Sequence, residues 1–191
     1  GVLTSSRGRE SEFEAVRRTF PTPVTWLSTS EMPDRGEQKV GTTYWNGREV
    51  KLIEQHLNAL QFYAEAKGER LNVGVITGYS EQASRLRRTV RPQLDKWSQL
   101  HIDIHPVDSF QGQERDVIIY SVTRSNKHGA LGFLRVTERL NVALSRGREA
   151  LVIVGDAAFC DSAEGGRTPF RSVLRHIRQT DGCILEGANA D

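Results

Sequence analysis

Two cysteines in 191 residues, Cys160 and Cys183, cannot supply a disulfide framework, and neither stands in a CxxC or Cys/His pattern that would hold zinc. A reducing compartment is the expectation. The five histidines, at positions 56, 101, 105, 128 and 176, lack the i,i+4 pairing with a nearby acid of a metalloprotease helix. His101 and His105 are four apart but flank an alternating, strand-like run, so no metal site is expected. Long apolar runs are missing too. The longest, such as Ala150 to Val154 and Val117 to Tyr120, fall far short of the roughly 20 residues that cross a bilayer, and no membrane partner is expected. The sequence opens Gly-Val-Leu-Thr-Ser-Ser-Arg, without an initiator Met, an apolar signal core or a transit helix. It reads as the cut edge of a longer intracellular chain, cytoplasmic or nuclear/nucleoid.

Phosphate-binding signatures are equally absent. No GxxxxGK[ST] loop, no GxGxxG fingerprint and no GxSxG elbow occurs, so the chain alone is not expected to hydrolyse a nucleotide.

What is present suits a single α/β domain able to bury its own core. Apolar residues make up 37% and charged residues 26%, which sets aside disordered and collagen-like classes. Net charge is only +2, yet 21 of the 26 cationic residues are Arg. Arg offers a planar fork for phosphate oxygens and a face for bases, although codon bias produces the same count.

Residues 1–22 read as a polar N-terminal segment with a short peripheral helix, Phe13, Val16 and Phe20 lying at helical spacing. Residues 23–186 form the domain and 187–191 a tail. Val24 to Thr29 is a strand by its β-branched and aromatic content, and Ser30 to Thr42 a loop. Asn46 with Glu49 is a capping box: the Asn accepts from the N3 amide while the acid reaches back. The helix that follows carries Val50, Ile53, Leu57 and Leu60 on one face and ends near Gly68. Val73 to Thr77 is a strand buried on both faces, and the next helix has an apolar line of Leu86, Val90 and Leu94, with Pro92 ending or kinking it. Ile102 to Val107, Asp116 to Val122 and Ala150 to Val154 are further strands. A helix capped by Thr137 precedes the last of these, an Arg-laden helix spans Pro169 to Gln179, and Gly182 to Leu185 is an edge strand. Strands alternating with helices imply βαβ units and a doubly wound, mostly parallel sheet with helices on both faces.

In such sheets ligands gather at the carboxyl ends of the strands. That rule selects Thr77 to Gln82, Asp108 to Asp116 and Arg139 to Arg148. The runs Asp108-Ser-Phe-Gln-Gly-Gln-Glu-Arg-Asp116 and Arg139-Leu-Asn-Val-Ala-Leu-Ser-Arg-Gly-Arg148, the latter before Ala-Leu-Val-Ile-Val-Gly-Asp156, resemble motifs V and VI of superfamily 1 helicases. The nearest group is of the up-frameshift and immunoglobulin mu-binding type. Val73-Gly-Val-Ile-Thr-Gly-Tyr-Ser-Glu-Gln82 is similar to its motif IV, and the resemblance runs in family order from near Asn46 to Asp156.

The resemblance implies the second of two RecA-like domains, a P-loop NTPase fold without the P-loop, working with an upstream RecA-like domain that carries it. ATP would lie between the two, with Mg2+ held mainly by the absent half, and single-stranded DNA or RNA would be the track. The usual direction in the family is 5′ to 3′. Arg146 would be the arginine finger that reaches the γ-phosphate, worth roughly 10³ to 10⁵ in rate. The plainer reading is a cation complementing a helix dipole, worth under about 1 kcal/mol. Arg148 would support it, and Arg139 is either a participant or a surface residue. Glu114 resembles the family's nucleotide-contacting acid and Gly112 admits a close ligand, or the pair merely shapes a tight turn. Gln82 matches the motif IV Gln. Ala83 follows it where several members carry a phosphate-reaching Arg, a duty that Arg85 would take. Strand contacts fall to Asp108 and Ser109, to Thr123 and Arg124, and to Thr77 and Tyr79, through groups suited to sugar and phosphate oxygens. Asp108 and Ser109 equally suit an Asx turn or helix cap, Tyr79 is stacking or packing, and the basic faces Arg85 to Arg91 and Arg167 to Arg178 are solvated surfaces or binding sites. Two other readings remain open. One is a non-catalytic nucleic-acid-binding or scaffold module that kept the fold, the other a self-sufficient phosphate-binding enzyme.

Overall fold

The apolar runs become the middle of a parallel sheet. A computed structural model describes residues 10–110, 114–135, 146–162, 169–180 and 182–187. Its strands are β1 (Val24–Ser28), β2 (Gln38–Val40), β3 (Thr43–Trp45), β4 (Leu71–Thr77), β5 (Leu100–Pro106), β6 (Arg115–Ser121), β7 (Gly147–Gly155) and β8 (Cys183–Glu186). Its helices are α1 (Glu14–Thr19), α2 (Gly47–Lys67), α3 (Ser80–Val90), α4 (Ala157–Ser162) and α5 (Pro169–Gln179). Six strands form one sheet in the order β5-β4-β6-β7-β1-β8, and every pairing in it is parallel.

Alternation along each strand divides the core into two layers. Val73, Val75, Val117, Ile119, Val152 and Val154 face α1, α2 and α3. Ile76, Ile118, Tyr120, Leu151 and Ile153 face α4, α5 and the turns that carry Phe110, Leu131 and Leu134. This is the doubly wound arrangement that strand and helix alternation implies. The expected stripe of α2 is realised, with Val50, Ile53, Leu57 and Leu60 buried and Gly68 closing the helix in the left-handed region.

Four elements differ from the sequence reading. Leu94, assigned to the apolar line of α3, lies beyond the end of that helix at Val90 and is exposed. The N-terminal helix is not peripheral: Ala15, Val16 and Phe20 are buried in the α2 layer, and Glu69 caps α1 by accepting the amides of Glu14 and Ala15. The loop assigned to 30–42 contains most of an antiparallel hairpin, β2 and β3, which turns at Gly41 (φ 58°). Glu49 does not complete a capping box. Asn46 Oδ1 accepts from the amides of Arg48 and Glu49, but the Asn46 amide donates to Gln82 Oε1 at 2.8 Å while Glu49 turns inward. The helix assigned after Thr137, together with Arg139 and Gly112, lies outside the described residues.

Candidate nucleotide and nucleic-acid sites

The sequence-nominated residues fall at opposite ends of the sheet, which the seven residues of β6 hold ~20 Å apart. At the amino ends, the β6 and β7 ladders begin side by side. The Arg115 amide donates to the Arg146 carbonyl at 3.1 Å, so Glu114 and Arg146, each one residue before its strand, share a rim. Glu114 is exposed and Arg146 half-buried. The Arg146 Nε is buried without a hydrogen-bond partner among the described residues. A buried guanidinium N–H without an acceptor costs free energy comparable to a lost hydrogen bond, and an incoming anion would supply the acceptor.

Arg148 stands one pleat further along and is already engaged. Its Nη2 donates to Asp116 Oδ1 at 2.6 Å, and the other carboxylate oxygen of Asp116 accepts both the amide and the side-chain amide of Asn72. Asp116 thus ties the amino ends of β4, β6 and β7 together, at the point where the β6–β7 register shifts. The carboxyl-end rule does not place Arg146 and Glu114: both precede their strands.

Gln82 and Arg85 are not at this rim. Gln82 lies at the start of α3, at the carboxyl end of β4, and is fully buried. Its amide is spent on the Asn46 backbone and on Ser121 Oγ at 2.8 Å. Arg85 donates to Glu81 at 2.7 Å and lies over the Trp45 ring. The expected nucleotide set is therefore divided by the length of the sheet.

At the carboxyl rim, Thr77, Tyr79, Thr123 and Arg124 converge, but they are buried and bonded to one another. Thr77 and Thr123 share a hydroxyl contact at 3.0 Å. Arg124 makes a two-pronged pair with Glu37 at 2.8 and 2.9 Å and donates to the Tyr79 hydroxyl at 3.1 Å. Burial raises the Tyr79 phenol above its ordinary value. Asp108 and Ser109 follow β5 in a short 3-10 turn and are exposed.

Beneath this rim lie acids to which sequence reasoning gave no part in a site. Both oxygens of Glu49 stand 2.8 Å from the Thr123 amide, and Ser121 Oγ donates to Oε2 at 2.5 Å. Burial drives the Glu49 carboxyl from 4.5 up to about 8, against the pull of the Ser121 and Thr123 donors and with Asp156 and Glu37 adding to the rise. Thr123 adopts a positive φ of 71°, rare for a β-branched residue, and Glu49 holds its amide there. Asp156 accepts from Ser30, Ser125, Arg35 and the Phe159 amide. Burial opposes ionisation of Asp156, but those donors outweigh it and hold the carboxyl below its usual value. A cavity of about 400 Å³ opens beside it, lined by Arg35, Ser125, Asn126 and Lys127 among others. Only the capping pattern marked Glu49, and it pointed to another partner. Among the described residues no group of three His, Cys, Asp or Glu is placed to hold a metal, and no helix is long and apolar enough to cross a membrane.

The sequence profile of an AAA domain matches residues 3–158. The chain is 35% identical over 138 residues to DNA polymerase alpha-associated DNA helicase A of Saccharomyces cerevisiae, covering 70% of this chain and 19% of that protein. It is 33% identical over 173 residues to ATP-dependent helicase NAM7 of the same yeast, covering 88% of this chain and 17% of that protein. A Regulator of nonsense transcripts 1 homolog of Arabidopsis thaliana is 32% identical over 177 residues, again across 88% of this chain but 13% of its own length. The chain therefore spans less than a fifth of each of these relatives.

Proposed function

The chain belongs to the AAA-domain family of superfamily 1 helicases of the up-frameshift type, and we propose that it is the second motor domain of an ATP-dependent helicase. In this reading its amino rim closes on an ATP held by an upstream P-loop domain. The observation that carries the proposal is the meeting of Glu114 and Arg146 on one rim, with the Arg146 Nε buried and lacking an acceptor among the described residues. ATP and Mg2+ supply the hydrolysable phosphate and its counter-charge; this chain's part is to position charge around them. Arg146 brings a guanidinium that stabilises charge developing at the γ-phosphate, the role in which arginine fingers contribute roughly 10³ to 10⁵ in rate. Glu114, exposed on the same rim, contacts the nucleotide. Arg148 acts through Asp116, fixing the rim rather than touching phosphate.

Single-stranded nucleic acid is assigned to the carboxyl rim. Asp108 and Ser109 are exposed there, whereas Thr77, Tyr79, Thr123 and Arg124 hold the backbone that faces the strand. The two ligands would thus act from opposite ends of one rigid sheet, so that cleft closure at one end displaces the rim at the other.

Arg146→Ala in the parent chain tests the finger. Turnover of ATP should fall by at least ~10³ while nucleotide affinity changes by less than about three-fold, because the guanidinium acts on the transition state. Equal losses in affinity and turnover would refute the role.

A further inference from the structure

Every polar atom of Thr123 is held, each by a different residue. Its amide donates to Glu49 at 2.8 Å, its carbonyl accepts from the Asn46 side-chain amide at 3.3 Å, and its hydroxyl meets that of Thr77 at 3.0 Å. Such fixing answers a cost. At φ 71° the branched side chain crowds its own backbone, and a residue persists there only where its surroundings over-determine it. Glu49 is fully buried and steadied in turn, with Ser121 Oγ 2.5 Å from Oε2 and accepting the Gln82 side-chain amide at 2.8 Å. From Thr123 the order passes along the chain. Glu37 takes the Arg124 guanidinium, the Ser125 amide and the Asn126 side-chain amide, while the Ser125 hydroxyl donates to Asp156. The next two residues, Lys127 and His128, stand exposed.

Burying a carboxyl costs free energy, and so does a β-branched residue at positive φ; the fold bears both at one point of the carboxyl rim. Neither helps the sheet itself. We propose that Glu49 is a positioning residue for single-strand binding: it sets the turn at 123–126, and through that turn where Lys127 and the neighbouring backbone meet the phosphates. Its part is to accept the Thr123 amide. The oxygen and its place matter, not the charge, so a neutral group of the same shape serves equally. The turn is thereby formed before the single strand arrives, which removes the ordering cost from binding.

The inference rests on the nucleic-acid reading above, and the test separates the two. ATP turnover by the full parent chain is titrated with dT12 and with rU12, which gives the half-activating strand concentration separately from kcat and KM for ATP. Glu49→Ala should raise that concentration by roughly ten-fold, the scale of one buried donor left without its acceptor, and should leave KM for ATP within about two-fold. A merely structural role would shrink the folded fraction, lower kcat and leave the half-activating concentration where it was. Glu49→Gln keeps an oxygen for the Thr123 amide and should stay within about two-fold of wild type. Glycine takes a positive φ without help, so Glu49→Ala combined with Thr123→Gly should recover part of the lost affinity. Glu49→Asp, which draws the acceptor back by one methylene, reads the same shift should the alanine variant not fold. An unchanged half-activating concentration in the folded variant, a Gln variant as weak as the Ala one, or no recovery in the pair would overturn the positioning role and leave the helicase reading intact. Wild-type turnover that neither strand stimulates would overturn both.

Discussion

Glu49→Gln replaces a buried carboxyl by an amide of the same shape, and its effect depends on which protonation state the fold holds. The carboxyl sits between the Thr123 amide and the Ser121 hydroxyl, fully buried, and its pKa rises to about 8 from 4.5. A raised value means that the folded chain keeps the proton over a range where the unfolded chain has lost it. Stability from this group is therefore complete below about 4.5, declines as pH rises towards about 8, and is lowest above it. The interval corresponds to roughly 5 kcal/mol in all, or about 1.4 kcal/mol per pH unit. Glutamine cannot titrate, so its free energy of unfolding lacks this slope. Urea denaturation of both proteins at pH 5, 6, 7, 8 and 9 reads the difference. At pH 6 the exchange should cost under about 1 kcal/mol, because a neutral acid is replaced by a neutral amide, and by pH 9 the variant should be the more stable protein. A difference constant with pH, or a loss above about 3 kcal/mol at pH 6, would refute the argument and mean that the carboxylate is ionised where it lies.

Two further predictions concern the ends of the sheet. Asp116→Ala removes the acceptor shared by Asn72 and Arg148, and should cost about 1–3 kcal/mol in urea denaturation; a cost below about 0.5 kcal/mol would deny it the tying role. Gly132→Ala forces a Cβ into Arg124 and Tyr79 at a positive φ, and should cost about 2–4 kcal/mol. Retention of wild-type stability there would show that the turn moves aside freely.

Much of the fold could be read from local pattern. The runs in β4, β6 and β7 are apolar because both faces are covered, and the α2 stripe with its Asn46 cap and Gly68 stop follows from helical spacing. What local pattern missed is tertiary competition. The capping box pairs Glu49 with the Asn46 amide, yet Gln82, 36 positions away, takes that amide, and the acid satisfies Thr123 and Ser121 instead. The hairpin of β2 and β3 escaped notice because strands of three exposed or half-exposed residues carry no alternation.

The site was legible as a set of residues but not as an arrangement. Resemblance brought out Arg146 and Glu114, which the fold brings to one rim. It grouped Gln82 and Arg85 with them, although α3 begins at the far end of the sheet. Thr77, Tyr79, Thr123 and Arg124 were marked as surface contacts, and nothing in their spacing could reveal that Glu37, from a loop some 40 to 90 positions away, buries the arginine among them.

In the proposed function this chain completes an ATP site that it does not form alone. Steady-state phosphate release decides it most directly, measured for the 191-residue chain and for its parent with and without single-stranded nucleic acid. Release at the buffer rate from the 191-residue chain and strand-stimulated turnover from the parent are the expected results. Turnover by the 191-residue chain unaided would contradict it.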